Sequence, residues 1–321
     1  MKSNYFLATM FTSLFCTSFA NAQNYTILED SIFSPQNKKV LLLKDSKNDK
    51  EVILFQTNLR VNTDGSPLSY HPQDPRGKDK ALNNICNAIV VNKNGSSKTN
   101  LCLTNFSEAI SVFEKFRDTK YQTIPDGYSI TWENVLPTIK VNGKNIPCIF
   151  ESGDYKGYFG SLTALKNGLT GDKGECEINN QVNPVTTPAL VLVGGQNVVK
   201  TFGAKLGDLL VAYNPKTQLF STAIIGDTGP KDNLGEGSVF LNMKLLGTNS
   251  VPINKSETFK LSIEDTQVLI AIIPCSHVFH VIKPFTKENI NQRVDEWMKE
   301  SGFNTPEKFI EFMLSFKSKL N

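Results

Sequence analysis

Short apolar runs cut by polar turns dominate the chain, and three-to-four-residue stripes break in at a few places. Val40–Leu43 and Val52–Phe55 are compact apolar runs bounded by polar residues, the pattern of strands. Residues 78–89 place Leu82, Ile85, Cys86 and Ile89 at i, i+3, i+4 and i+7, which predicts a helix. Residues 106–117 repeat the stripe with Phe106, Ala109, Ile110, Phe113 and Phe116, and Asn105 stands where a cap belongs. From about residue 128 to 275 the spacing is that of strands. The candidates are Ile146–Phe150, Ala189–Val193, Asp208–Tyr213, Leu219–Ile225, Gly237–Leu241 and Val268–Ile273. Turn dipeptides such as Gly194-Gly195 and Asn214-Pro215 separate them. The end of the chain returns to helical spacing. Ile290, Val294, Trp297 and Met298 form one stripe; Thr305-Pro306 reads as a cap followed by proline at the first helical position; Phe309, Phe312, Met313 and Phe316 form the next stripe. The fold expected is mainly β (α+β), a barrel or sandwich with flanking helices and a C-terminal helical pair packed on it.

The first residues call for separate treatment. Lys2 precedes a mostly apolar stretch from Phe6 to Phe15, and Ala20-Asn21-Ala22 offers small residues at the −3 and −1 positions. This is the form of a secretory signal peptide over residues 1–22, too short to span a bilayer. No later stretch has the apolar length of a membrane span. The expected mature chain keeps 33 basic and 31 acidic side chains, a net charge of +2, spread without a long block of one sign. That excludes the basic footprint of a nucleic-acid binder.

Export also changes the meaning of the cysteines. Of the six, Cys16 lies in the leader, which leaves Cys86, Cys102, Cys148, Cys176 and Cys275 for an oxidising compartment, secreted or periplasmic. The expected pairs are Cys86–Cys102 and Cys148–Cys176, each closing a modest loop, with Cys275 a buried free thiol. There is no CxxC pair and no histidine at ligand spacing, so no zinc site is expected. Asn62-Thr-Asp64-Gly65 opens like a calcium loop, but the twelfth position is Gln73 rather than a bidentate glutamate.

The chemistry concentrates in residues 220–238. An apolar strand runs into Gly226-Asp227, a turn with Gly229-Pro230 follows, and Gly235-Glu236-Gly237 leads into the next apolar run. Nine extended residues would separate the two acids by about 30 Å, and the turn folds that span back. Two carboxyls facing one cleft suit hydrolysis of a glycosidic bond by inversion. One, with a raised pKa, protonates the leaving oxygen; the other, ionised, activates water on the opposite face, across roughly 6.5–9.5 Å. The glycines beside Glu236 would let a sugar come close to the backbone.

The same residues carry a resemblance. Gly226-Asp227-Thr-Gly-Pro with Leu234-Gly235-Glu236-Gly237-Ser238 resembles the Gly-Asp … Gly-Glu-Ala/Gly-Ser signature of glycoside hydrolase family 75, the fungal-type chitosanases and their bacterial relatives. Asp64-Gly65-Ser66-Pro67-Leu68-Ser69-Tyr70-His71-Pro72 is similar to that family's Asp-Gly … Ala-Tyr-His-Pro segment. Tyr155-Lys-Gly157-Tyr158-Phe159 with Ser161-Leu-Thr163 is similar to its Gly-Tyr-Phe-Val-Ser-Thr-Thr segment. Pro188-Ala-Leu-Val191, Gly207-Asp208 and Ile272-Ile273-Pro274 follow in the family's order. The likeness covers about residues 55–276 and leaves the helical tail outside. The Asp–Glu loop is a few residues shorter than in the fungal chitosanases, and Cys275 stands at a usual glycine.

The resemblance implies a six-stranded double-psi-like β-barrel. It implies a secreted, inverting endo-glycosidase acting on the β-1,4-linked glucosamine polymer chitosan, with no metal or cofactor. Asp227 and Glu236 are then the catalytic carboxylates, with Glu236 assigned as acid and Asp227 as base, and Asp64, His71 and Tyr158 contact substrate. His71 also suits a structural bond to backbone. The domains expected are the leader 1–22, a chitosanase-like barrel 23–276 and a helical extension 277–321, in a monomer. The rival readings are a hydrolase of peptidoglycan-type cell-wall glycan and a non-catalytic carbohydrate-binding envelope protein.

Overall fold

A computed structural model describes residues 25–94, 99–168 and 171–321. The expected signal peptide lies outside the described residues. Twelve strands occur among the described residues: β1 (Tyr25–Phe33), β2 (Lys38–Asp45), β3 (Glu51–Asn62), β4 (Ile89–Lys93), β5 (Tyr128–Trp132), β6 (Thr138–Val141), β7 (Lys144–Pro147), β8 (Ala189–Leu192), β9 (Leu209–Asn214), β10 (Leu219–Thr228), β11 (Glu236–Ser238) and β12 (Ile263–Ile273). The helices there are α1 (Leu101–Thr104), α2 (Phe106–Asp118), α3 (Gly171–Cys176), α4 (Val198–Thr201), α5 (Val239–Leu246), α6 (Lys255–Phe259), α7 (Lys287–Glu300) and α8 (Pro306–Ser315).

Six strands close on themselves in the order β3-β11-β8-β10-β9-β12, because β12 also pairs with β3. Two pairs are parallel, β3–β11 and β8–β10; the other four are antiparallel. This is a closed six-stranded barrel, the number of strands that the resemblance implies, and it decides between the barrel and the sandwich that the apolar pattern left open. The β1–β2 hairpin adds to the first half of β3, where Val40 lies opposite Phe55 and Lys44 opposite Glu51.

The two-residue period of the strands builds two cores. On β12, Val268, Ile270 and Ile272 pack with Ile53, Phe55, Leu190, Leu210, Ala223 and Ile225 inside the barrel. The alternate residues Leu269, Ala271 and Ile273 face outward, onto α7 and α8 through Ile290, Val294, Trp297 and Phe309. The helical pair is present as expected, and Thr305 accepts from the Lys308 N–H to cap the second helix. Between β3 and β8 the chain makes an excursion from the barrel with a core of its own, in which α2 packs Ile110, Phe113 and Phe116 with Leu101, Ile89 and Phe159. Asn105 caps α2 by accepting from the Glu108 N–H.

Three expectations change. Residues 78–89 form no α-helix, only a single 3-10 turn over Ile85–Asn87. The Asp74 carboxylate accepts from the N–H groups of Lys78, Asp79, Lys80 and Ala81 and gathers them into a turn, and Ile89 opens β4 instead. The strand expected over Gly237–Leu241 ends at Ser238, whose hydroxyl accepts from the Leu241 N–H and starts α5. The strand expected over Ile146–Phe150 ends at Pro147, in a hairpin of β6 and β7.

Both expected disulfides, Cys86–Cys102 and Cys148–Cys176, are formed, and both tie down the excursion. Cys275 is free as expected but exposed rather than buried. It follows β12 with φ +61°, the left-handed conformation that glycine adopts most readily. Among the described residues no helix is long and apolar enough to cross a membrane.

Candidate active site at the barrel end

Three carboxylates come together where the excursion leaves the barrel. Asp227 stands near the end of β10, Glu236 opens β11, and Asp64 follows the end of β3. β11 lies between β3 and β8, with Glu236 beside Arg60 and Gly237 opposite Leu190, and β10 is the other neighbour of β8. The turn between the two acids therefore carries the chain across β8, and the acids share one end of the barrel.

A bulge aims Asp227. The register of β10 on β8 runs Ile225 to Leu190 and then Asp227 to Val191, which leaves Gly226 as the extra residue. A Cβ on Gly226 would stand 2.9 Å from the Ala189 Cβ, so the bulge fits only glycine without a shift. The glycines beside Glu236 have a different task from the one the sequence suggested. A Cβ on Gly235 would meet the Asn58 carbonyl oxygen at 1.8 Å, and one on Gly237 the Asn242 Oδ1 at 2.4 Å. Both serve the close packing of β11 against protein, not the approach of a sugar. Glu236 reaches toward the turn, with Oε2 3.1 Å from the Cβ position of Gly229, two residues after Asp227.

The hydrogen bonding of the two acids differs. Asp227 Oδ1 accepts from the N–H groups of Ala164 at 2.9 Å and Thr228 at 2.8 Å, and the nearby Asn62 side chain favours its charged form. Asn62 Oδ1 in turn accepts from the Asp64 N–H at 2.9 Å. Glu236 has no hydrogen-bond donor on its carboxylate among the described residues. Asp64 Oδ1 accepts from the Tyr70 hydroxyl at 2.6 Å, and the Tyr70 oxygen accepts from the Asn87 amide at 2.9 Å.

Enclosure raises all three, and the charge of a neighbouring acid adds to the rise at Glu236 and Asp64. Burial, then the charges of Asp64 and Asp227, push Glu236 up to about 7 against the pull of Arg60. Burial pushes Asp64 up to about 7 despite the Tyr70 hydrogen bond, with Asp227 adding to the rise. Burial raises Asp227 as well, opposed by its two backbone N–H donors, Asn62 and Lys166. Burial and like charges nearby both disfavour ionisation, so such a cluster tends to hold a proton near neutrality. The proton rests most readily on an acid without donors, and the donors of Asp227 favour its charged form.

Asp64 and Asp227 line one cleft of about 350 Å³ with Asn134, Leu162, Ala164 and Lys166. His71 and Tyr158 sit one step away. Their rings meet edge to face at 4.6 Å; His71 Nδ1 accepts from the Gln73 N–H, and the Tyr158 hydroxyl donates to the Lys80 carbonyl. The charges that act on His71 are Lys80 and Asp74, on the turn beside it. The backbone bond of His71 is thus present, while Tyr70, its neighbour in sequence, reaches the carboxylates. Sequence reasoning gave Tyr70, Asn62, Asn87 and Lys166 no role. Tyr70 and Asn62 flank the motif residues His71 and Asp64, and that adjacency was the available signal. Among the described residues no group of three or more His, Cys, Asp and Glu is arranged to hold a metal ion. Comparison of the chain with models of known protein families gives no match, and comparison with curated proteins gives none.

Proposed function

We propose that this protein is a secreted endo-glycosidase that cleaves β-1,4-linked glucosamine polymer with inversion, Glu236 acting as acid and Asp227 as base. The observation that carries this reading is the unequal hydrogen bonding of two buried carboxyls at one barrel end. Burial raises both acids, but two backbone N–H donors on Asp227 oppose the rise and favour its charged form, while Glu236, enclosed without donors, tends to keep a proton. In the reaction the Glu236 proton passes to the glycosidic oxygen as the C1–O bond breaks. A water attacks C1 from the other face and its proton passes to Asp227. Asp64 and Asp227 line one cleft, and Asp64, when ionised, pairs with the ammonium group of a glucosamine unit bound there. The two disulfides accord with an oxidising compartment.

The test is the release of reducing ends from chitosan, with the anomer of the new end read by proton NMR. Asp227→Asn and Glu236→Gln should each lower turnover by about 10²–10⁴-fold while the protein still folds. Full turnover in both variants would refute the assignment. Binding of chitosan without cleavage by the wild type would favour the non-catalytic binding protein instead.

A further inference from the structure

The excursion contains a second hollow, larger than the carboxylate cleft. It is a groove of about 760 Å³ with an aromatic and aliphatic wall of Trp132, Tyr121, Phe116 and Ile130 and a rim that includes Glu133 and Asn145. Asn134 and Leu162 line both the groove and the cleft, so the two hollows adjoin. An ion pair links them a second time: Lys166 on the cleft wall holds Glu175 on the groove wall at 3.1 Å.

Trp132 is held in a fixed position. Its indole N–H donates to the Asn145 carbonyl at 3.1 Å, Phe116 stacks on it at 5.8 Å, and Tyr121 meets it edge-on at 5.9 Å. The ring is half-buried, so part of it remains at the groove surface. An aromatic held in this way loses little freedom when a ligand packs against it. Beside it stands Glu133, exposed and without a side-chain partner among the described residues. Apolar faces flanked by hydrogen-bonding groups match a sugar unit, which has C–H faces and hydroxyl or amine edges. The volume lies in the range of about 300–1,000 Å³ that encloses a ligand larger than a single ring.

We propose that this groove is a distal subsite for the glycan chain cut at the carboxylate cleft, with sugar faces against Trp132 and polar edges toward Glu133 and Asn134. The proposal rests on the glycosidase reading, and its occupant follows from the continuity of groove and cleft. Glucosamine oligomers from trimer to octamer test it in the full-length protein. For the wild type, kcat/KM should rise steeply with chain length. In Trp132→Ala the octamer-to-trimer ratio should fall about tenfold, mainly through KM. Glu133→Ala, a surface change that spares the core, should lower the same ratio about threefold. Calorimetry on Glu236→Gln should find octamer binding about tenfold weaker once Trp132→Ala is added. If Trp132→Ala does not fold, the Glu133→Ala ratio decides. A wild type that cuts all lengths equally, or a ratio that stays put in the folded variants, would overturn the subsite and leave the glycosidase intact. A wild type that cuts no glycan would bring down the glycosidase reading and the subsite together.

Discussion

At the scale of single residues the carboxylate cluster works through differences in what surrounds each acid. Asp64 contributes the charge that acts most strongly on Glu236. Under the proposed mechanism activity needs Glu236 protonated and Asp227 ionised. Activity therefore falls as pH rises through about 7, where Glu236 loses its proton, and falls on the acid side as Asp227 gains one, above the ordinary aspartate value. Asp64→Asn removes a like charge, so Glu236 releases its proton at lower pH. The alkaline limb of the kcat profile should move toward acid, with a loss several-fold larger at pH 8 than at pH 5.5. An unmoved alkaline limb would show that Asp64 does not govern that proton. The sequence placed the two acids at the ends of apolar runs joined by a glycine-containing turn, and the fold sets both at one end of the barrel. The roles of Asn62 and Tyr70 were not legible there, since each depends on a partner brought near by the fold.

At the scale of elements, strand ends and bulges do the positioning. Most strands could be read from apolar runs, because runs buried on both faces leave a continuous signal. β1 escaped that reading: between Tyr25 and Phe33 its residues are largely exposed, so burial left little pattern. At 78–89 the helical spacing did not become an α-helix: Asp74 gathers the N–H groups of residues 78–81 into a turn and Ile89 opens β4, features that no periodicity registers. The bulge at Gly226 is the element on which Asp227 depends. Gly226→Ala forces β10 away from β8 at that point and should cost about 1–3 kcal/mol by urea unfolding. The same shift should lower kcat by about tenfold or more. Unchanged kcat in a destabilised variant would separate the bulge from the chemistry.

At the scale of the whole molecule the C-terminal pair is part of the outer core, not an appendage. Trp297, Ile290 and Phe309 share one cluster with Leu41, Leu54, Leu269 and Ala271 of the strands. The helical stripes announced the pair in the sequence; the surface that receives it arises only once β2, β3, β9 and β12 lie side by side. Trp297→Ala should cost about 3–5 kcal/mol. Circular dichroism and tryptophan fluorescence should then report one shared, lowered unfolding transition. An early separate transition for the helices would show that tail and barrel are energetically independent.

The parallel pairing of Arg60 with Glu236 joins strands that are synthesised far apart. Until the ribosome has delivered β11, the first half of the barrel has nothing to receive on that edge, and the long excursion must be accommodated before the gap can shut. Such distant partners meet late and slowly. A nascent chain would thus hold Asp64 apart from Asp227 and Glu236, and under the proposed function hydrolytic competence would arrive only when β11 has closed onto β3.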